Sequence, residues 1–246
     1  MIPKIIHYCW FGGNPLPELA KKCIASWKKY CPDYELKLWN EENFDLNCNA
    51  YVKEAYEAKK FAFVTDYVRL WVLYNYGGVY MDTDVEVLKP LDRFLVHPAF
   101  SGFESPKIIP TGIIGSEQNG VWVKEELEYY KNLHFKKDDG SYDLTANVIP
   151  MTQHFVARGG ILNNAIQDHN GIITLYPVEF FCPMIYSCRK IIVTDNTYTI
   201  HHFIGSWLPW HAKIRDNIKQ FLLNHLPLLH NILLKIKRFF IKRQEP

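Results

Sequence analysis

The chain has 246 residues, 48% of them hydrophobic and 22% charged, with a formal net charge of +2. That length supports one α/β domain with a full core, and the composition excludes a disordered, collagen-like or coiled-coil chain. Nearly balanced charge gives no global attraction to nucleic acid, so none is expected as a partner. Seven Trp, 15 Tyr and 15 Phe raise the aromatic share to 15%. Such an excess reads first as a bulky core and second as stacking surface for sugars or bases.

Pro3 to Trp10 is a short apolar run before Gly12-Gly13, which predicts a first buried strand and a turn. Leu19, Cys23, Ile24 and Trp27 recur at helical spacing within Leu16 to Tyr30. Tyr34 to Trp39 alternates as a strand does. Ala50 to Lys59 is a polar helix with an apolar stripe, and Phe61 to Tyr76 is a helix apolar nearly all round, hence buried. Gly77-Gly78 ends it, and Val79-Tyr80-Met81 starts another strand. Strand, helix, strand, helix, strand is the order of a mainly parallel, Rossmann-like α/β sheet flanked by helices.

Further along, Ala99 to Glu104 and Ile108 to Ser116 read as strands, and Val121 to His134 as a helix. Phe135 to Asp143 is a polar loop, and Leu144 to Arg158 is helical with a break at Pro150. Ile172 to Tyr176 and Tyr198 to Phe203 are strand candidates. The expected organisation is one domain over 1–210 and a basic amphipathic helical tail over 211–246.

None of the six cysteines forms a CxxC pair. Met1-Ile2-Pro3-Lys4 runs directly into a strand-like segment rather than a secretory leader. Reduced, mostly buried thiols and a cytoplasmic setting are therefore expected.

The sharpest local feature is Asp82-Thr83-Asp84 after an apolar strand. In extended backbone, side chains two apart share a face, so both carboxylates can reach one cation. Two such charges at a buried strand end are costly unless a cation neutralises them, and oxygen ligands suit a hard divalent ion. Within the preceding apolar helix, Asp66 and Arg69 are three apart and share a face. They form either a self-satisfied ion pair or a pair aimed at a polar ligand.

Phe61-Ala62-Phe63-Val64-Thr65-Asp66-Tyr67-Val68-Arg69-Leu70, followed by Tyr74-Asn75-Tyr76-Gly77-Gly78-Val79-Tyr80-Met81-Asp82-Thr83-Asp84, resembles the DXD glycosyltransferases. That group includes fungal outer-chain mannosyltransferases and bacterial capsule and lipopolysaccharide enzymes. The opening Ile2-Pro3-Lys4-Ile5-Ile6-His7-Tyr8-Cys9-Trp10-Phe11-Gly12 resembles the family's first strand. The resemblance implies a GT-A fold, a UDP- or GDP-sugar donor, Mn²⁺ or Mg²⁺ as cofactor, and retention of anomeric configuration. It assigns catalysis to Asp66, Arg69 and Asp84. Donor binding falls to Trp10, Asp66, Arg69, Gly78, Tyr80, Asp82, Ser206 and Trp207. The cation falls to Asp82, Asp84 and His202, the histidine preferred over His201 for its spacing to Ser206. Trp10 reads equally as a core residue at a strand end.

Between Lys213 and Arg243 there are eight Lys or Arg and one acidic residue, Asp216. Leu229, Ile232, Leu233, Ile236 and Phe240 share one helical face, with Lys235, Arg238 and Lys242 opposite. This tail either binds an anionic membrane surface or docks on the domain. Membrane attachment would place the enzyme at the inner face of the plasma membrane, with a glycan or lipid-linked saccharide as acceptor, in capsule, O-antigen or exopolysaccharide synthesis. The reading from another class is a non-catalytic, cation-dependent carbohydrate-binding module.

Overall fold

A computed structural model describes residues 1–110, 112–185, 190–203 and 205. The chain divides into two units, one comprising Met1–Pro183 with Val193–Phe203 and the other Met184–Ile192 with Ile204–Pro246. The expected boundary at 210 and the tail lie outside the described residues.

In the first unit the order is β1 (Ile5–Cys9), α1 (Glu18–Tyr30), β2 (Glu35–Trp39), α2 (Ala50–Glu57), α3 (Phe61–Tyr76), β3 (Gly78–Met81) and β4 (Val85–Val87). Next come β5 (Ala99–Gly102), β6 (Ile113–Ser116), α4 (Val121–Glu128), α5 (Val148–Ala157), β7 (Gln167–His169), β8 (Ile173–Tyr176) and α6 (Val178–Phe181). In the second unit β9 (Met184–Ile185) and β10 (Lys190–Ile191) pair antiparallel. Back in the first, β11 (Thr199–His201) pairs antiparallel with β4 as a separate ribbon.

Seven strands form the central sheet in the order β2-β1-β3-β6-β5-β8-β7. β2, β1, β3, β5 and β8 run one way, while β6 and β7 run the other. The α/β expectation, with a mostly parallel Rossmann-like half, holds. One core lies under α2, α3 and α4, and a second joins α1 residues such as Trp27 to Val85, Phe94 and Phe181. Most aromatics serve these cores. Trp39, Phe44 and Trp71 pack edge to face, with ring centroids 5.2–5.9 Å apart.

The sequence explains the local choices. Asn49 starts α2 because its side chain accepts hydrogen bonds from Tyr51 N at 2.8 Å and Val52 N at 3.4 Å, a cap typically contributing about 1 kcal/mol. α3 buries its apolar surface on several sides, including Val64, Val68, Leu70, Val72 and Leu73. Gly77 and Gly78 follow with φ of +65° and +109°. A Cβ at Gly78 would lie 2.7 Å from Ile5 O, so only glycine lets α3 turn this tightly into β3.

Three details differ from the sequence reading. α5 begins at Val148 and does not break at Pro150, because a proline in the first turn loses only a donor that has no partner there anyway. α4 ends at Glu128 rather than His134. β4 and β7, each three residues long, carry no strand pattern in the sequence.

Candidate functional site

Open α/β sheets place ligands beyond the carboxyl ends of their strands, and the charged residues collect there. β3 delivers Asp82, whose N–H donates to Gly112 O at 2.9 Å, and Val85 N–H donates back to Asp82 O at 3.0 Å. That turn carries Asp84. β11 delivers His201, which lies opposite Val85. Ligand atoms of Asp82, Asp84 and His201 lie within 4.8 Å of one another. His201 Nε2 is 3.3 Å from Asp84 Oδ1. Its Nδ1 is buried without a hydrogen-bond partner, in a residue 8% exposed.

Gly112 borders this cradle. A Cβ there would stand 3.0 Å from both Asp82 Oδ2 and His201 Nδ1. Two carboxylates, an imidazole with an orphaned nitrogen and a glycine at 112, where any side chain would crowd them, fit a divalent cation that accepts mixed oxygen and nitrogen ligands. Burial works against charge on His201. The Asp84 carboxylate and its hydrogen bond, with Cys182 and Asp82, nevertheless hold the imidazole well above its ordinary pKa. A cation on the same three groups would take that proton's place.

His202 does not join them. Its Nε2 meets Glu86 Oε2 at 2.9 Å, and its N–H donates to Asp84 O at 3.0 Å. The expectation that His202 faces the cation is therefore corrected to His201. Pairing with β4 turns His201 into the buried side of the ribbon, and the chain leaves the strand at His202.

Asp66 and Arg69 do more than pair with each other. Arg69 Nη2 lies 3.2 Å from Asp66 Oδ1 and 3.2 Å from Asp82 Oδ1, and its guanidinium sits 4.8 Å from the centre of the Tyr80 ring. It ties α3 to the acidic turn. Burial pushes the Asp66 carboxyl up to about 7, against the pull of Arg69 and with the push of Asp82. For Arg69, burial disfavours the charge, but Asp82, Tyr80 and Asp66 raise its pKa further.

The donor-binding expectations separate. Trp10 ends the β1 segment half-buried, and its Nε1 donates to Asn14 O at 2.5 Å. The loop after it is held by Glu41 Oε1, which accepts from Gly12 N at 2.6 Å and Tyr56 Oη at 3.1 Å. Tyr80 is only 2% exposed, and its hydroxyl donates to Asp82 Oδ1 at 3.1 Å, so it orients that carboxylate. Gly78 starts β3, the end opposite Asp82, and is not placed to touch a ligand at the acidic turn. Its assignment as a donor contact is corrected to a backbone role. Ser206 and Trp207 lie outside the described residues.

Two polar groups near this cluster had no assigned role from sequence. Asn147 N–H donates to the Asp66 carboxylate, while its own Nδ2 is buried without a partner. The carboxyl of Glu104, beyond β5, is raised first by burial. The charges acting on it are His201, Asp82, Arg69 and Asp84. Neither residue stands at a recognisable sequence spacing from the DXD turn.

A buried Asp-Arg pair on α3 thus leads through paired glycines to the Asp82-Thr83-Asp84 turn at the end of β3. Residues 17–101 match the family described as "Glycosyltransferase sugar-binding region containing DXD motif". The family resemblance thus holds, and it places this region among the glycosyltransferases, which are transferases. The chain is 35% identical over 144 residues to inositol phosphoceramide mannosyltransferase 3 of Schizosaccharomyces pombe, a match covering 54% of this chain and 37% of that protein. It is 26% identical to uncharacterized glycosyltransferase L373 of Acanthamoeba polyphaga mimivirus, covering 87% and 86% respectively. A solved glycosyltransferase involved in glycosylation of the major capsid of PBCV-1 aligns at a TM-score of 0.49 and 13% identity, over 89% of this chain and 100% of that one. The chain thus spans little more than a third of the fungal relative's length. No helix among the described residues is long and apolar enough to cross a membrane.

Proposed function

We propose that this protein is a divalent-cation-dependent glycosyltransferase that moves a sugar from a UDP- or GDP-sugar to a hydroxyl of a glycan or lipid-linked acceptor, with retention of configuration. The observation that carries the reading is the convergence of Asp82, Asp84 and His201 within 4.8 Å beside the orphaned His201 Nδ1. Mn²⁺ is favoured over Mg²⁺ because one ligand is an imidazole. Bound there, the ion supplies positive charge to the diphosphate leaving group.

The chain's own residues do the rest. Asp82, Asp84 and His201 hold the cation. Arg69 keeps Asp82 in place from α3. Asp66 accepts from sugar hydroxyls, and Asn147 Nδ2 offers them a donor. Trp10 packs on the nucleotide base at the carboxyl end of β1. In Ser206 and Trp207 the resemblance supplies groups that close over the diphosphate. The mannosyltransferase names of the fungal relatives make GDP-mannose the first donor to test and a lipid headgroup the first acceptor class. An anionic membrane surface engaged by residues 213–243 would suit such an acceptor at the cytoplasmic face, the setting in which capsule or O-antigen precursors are also extended.

Thermal unfolding with Mn²⁺ and a panel of nucleotide-sugars tests the reading. A native-state ligand must raise Tm. Wild type should shift with one donor plus Mn²⁺, and Asp84→Ala should not. An equal shift in the variant would remove the cation role. Binding of free glycans without nucleotide would favour the carbohydrate-binding module.

A further inference from the structure

We infer that Glu41 reads the base of the donor nucleotide and selects guanine over uracil, an assignment that rests on the glycosyltransferase reading. Register sets its position. Cys9 of β1 lies opposite Trp39 of β2, and His7 of β1 lies opposite Tyr80 of β3. Continued by two residues, the second pairing brings Asp82 level with Cys9, so the three parallel strands end side by side. Trp10 lies one residue beyond β1, Glu41 two beyond β2 and Asp82 one beyond β3. Trp10 N–H donates to Trp39 O at 2.9 Å, which keeps the ends of β1 and β2 together past their last paired residues.

The ends of β2 and β3 are two strand spacings apart, about 10 Å. A nucleoside diphosphate spans such a distance from its base to its β-phosphate. With the diphosphate on Asp82, Asp84 and His201 and the base on Trp10, the base edge remote from the ribose points toward β2 and Glu41.

The bonding of Glu41 leaves one oxygen for a ligand. Its Oε1 accepts from Gly12 N at 2.6 Å and from Tyr56 Oη at 3.1 Å. Gly12 belongs to the loop after Trp10 and Tyr56 to α2, so two elements fix the carboxylate. Its backbone lies in a braced turn, where Asn40 N donates to Asn43 Oδ1 at 3.0 Å and Asn43 Nδ2 donates to Leu38 O at 2.8 Å. Among the described residues Glu41 Oε2 makes no hydrogen bond or ion pair. An ionised carboxylate has about four acceptor positions, and those on Oε2 stay open.

Base chemistry decides what such an oxygen takes. Guanine offers N1–H and N2–H as adjacent donors on the edge remote from the ribose. Uracil offers a single N3–H there, between two carbonyl oxygens that a carboxylate repels. A fixed carboxylate therefore gains charge-assisted bonds from guanine and places a repulsive contact against uracil. Stacking on Trp10 accepts either base, so the choice falls to Glu41. In dinucleotide-binding sheets an acidic residue after a neighbouring strand holds a ribose hydroxyl instead, a contact that is blind to the base.

The test measures calorimetric affinity of the full chain, with Mn²⁺, for GDP, UDP and inosine diphosphate, which keeps N1–H but lacks the N2 amine. Wild type should bind GDP about tenfold or more tighter than either of the others. In Glu41→Gln the amide oxygen still accepts from Gly12 and Tyr56, while an NH₂ group replaces Oε2 and faces the guanine donors. The preference for GDP over UDP should then fall about tenfold or more. Equal binding of GDP and inosine diphosphate by wild type would overturn the role without any substitution. So would a wild-type preference for UDP. Equal weakening of GDP and UDP in Glu41→Gln would also overturn it, making Glu41 a loop brace or a ribose contact. Failure of wild type to bind any of the three nucleotides with Mn²⁺ would instead sink the glycosyltransferase reading and the role with it.

Discussion

Arg69 Nη2 stands 3.2 Å from Asp82 Oδ1, joining the buried helix α3 to the acidic turn at the end of β3. The same nitrogen meets Asp66 at 3.2 Å, so one guanidinium serves two carboxylates in a dry setting. Removing one partner of a buried ion pair typically costs about 3–5 kcal/mol, because the other charge is left desolvated. Arg69→Met should therefore lower unfolding stability in urea by roughly that amount. Arg69→Lys should recover only part, since a point charge cannot match both carboxylates and the Tyr80 ring. A loss under about 1 kcal/mol in Arg69→Met would show that the pair is solvated.

The two adjacent histidines should behave oppositely. His201→Ala removes a ligand of the proposed cation site and should abolish the Mn²⁺-dependent rise in Tm. His202→Ala removes only a partly exposed contact with Glu86 and should leave that rise intact, with stability changed by about 1 kcal/mol or less. The reverse result would restore His202 as the ligand.

Gly112 gives an independent probe of the same cradle. Gly112→Ala places a methyl 3.0 Å from Asp82 Oδ2 and His201 Nδ1 without removing any ligand. Mn²⁺ affinity, read by calorimetry, should fall about tenfold or more while far-UV circular dichroism stays native. Unchanged affinity would mean that the cation sits elsewhere.

How much of this site the sequence shows depends on how local each relationship is. Asp82 and Asp84 declare themselves because strand alternation puts residues two apart on one face. Asp66 and Arg69 do so because a helix does the same at three. The choice between His201 and His202 needs the register against β4, and a three-residue strand leaves no readable pattern. Glu104 and Asn147 reach the cluster only through the β3-β6-β5 order and the start of α5, which are tertiary facts. Gly78 misled for a related reason. Its glycine answers to Ile5 O on the neighbouring strand rather than to a ligand.

His7 makes stability depend on pH. Trp39 Nε1 donates to its Nδ1 at 3.0 Å, so Nε2 carries the proton and donates to Gly77 O at 2.8 Å. Burial lowers its pKa from 6.5 to about 4, with only partial compensation from Gly77. Between those values the unfolded chain binds a proton that the native chain refuses. The stabilising difference is complete above pH 6.5 and is lost as pH falls toward 4, by about 3 kcal/mol. His7→Gln should narrow its stability gap to wild type by that much between pH 7 and 4, measured by urea unfolding at each pH. A gap independent of pH would show that His7 titrates normally.

Asn147 should separate sugar from nucleotide. It occupies the position before α5 where asparagine usually caps, yet its side chain makes no cap bond. Its Nδ2 is left buried and unpaired while its N–H holds Asp66. A donor left unpaired in this way contributes only when a ligand oxygen meets it, and a neutral hydrogen bond is typically worth about 1 kcal/mol. Asn147→Ala should leave affinity for GDP or UDP with Mn²⁺ unchanged. It should also remove about fivefold of the extra affinity contributed by the sugar in GDP-mannose or the matching UDP-sugar. Equal weakening of nucleoside diphosphate and nucleotide-sugar would assign Asn147 to the scaffold around Asp66 instead.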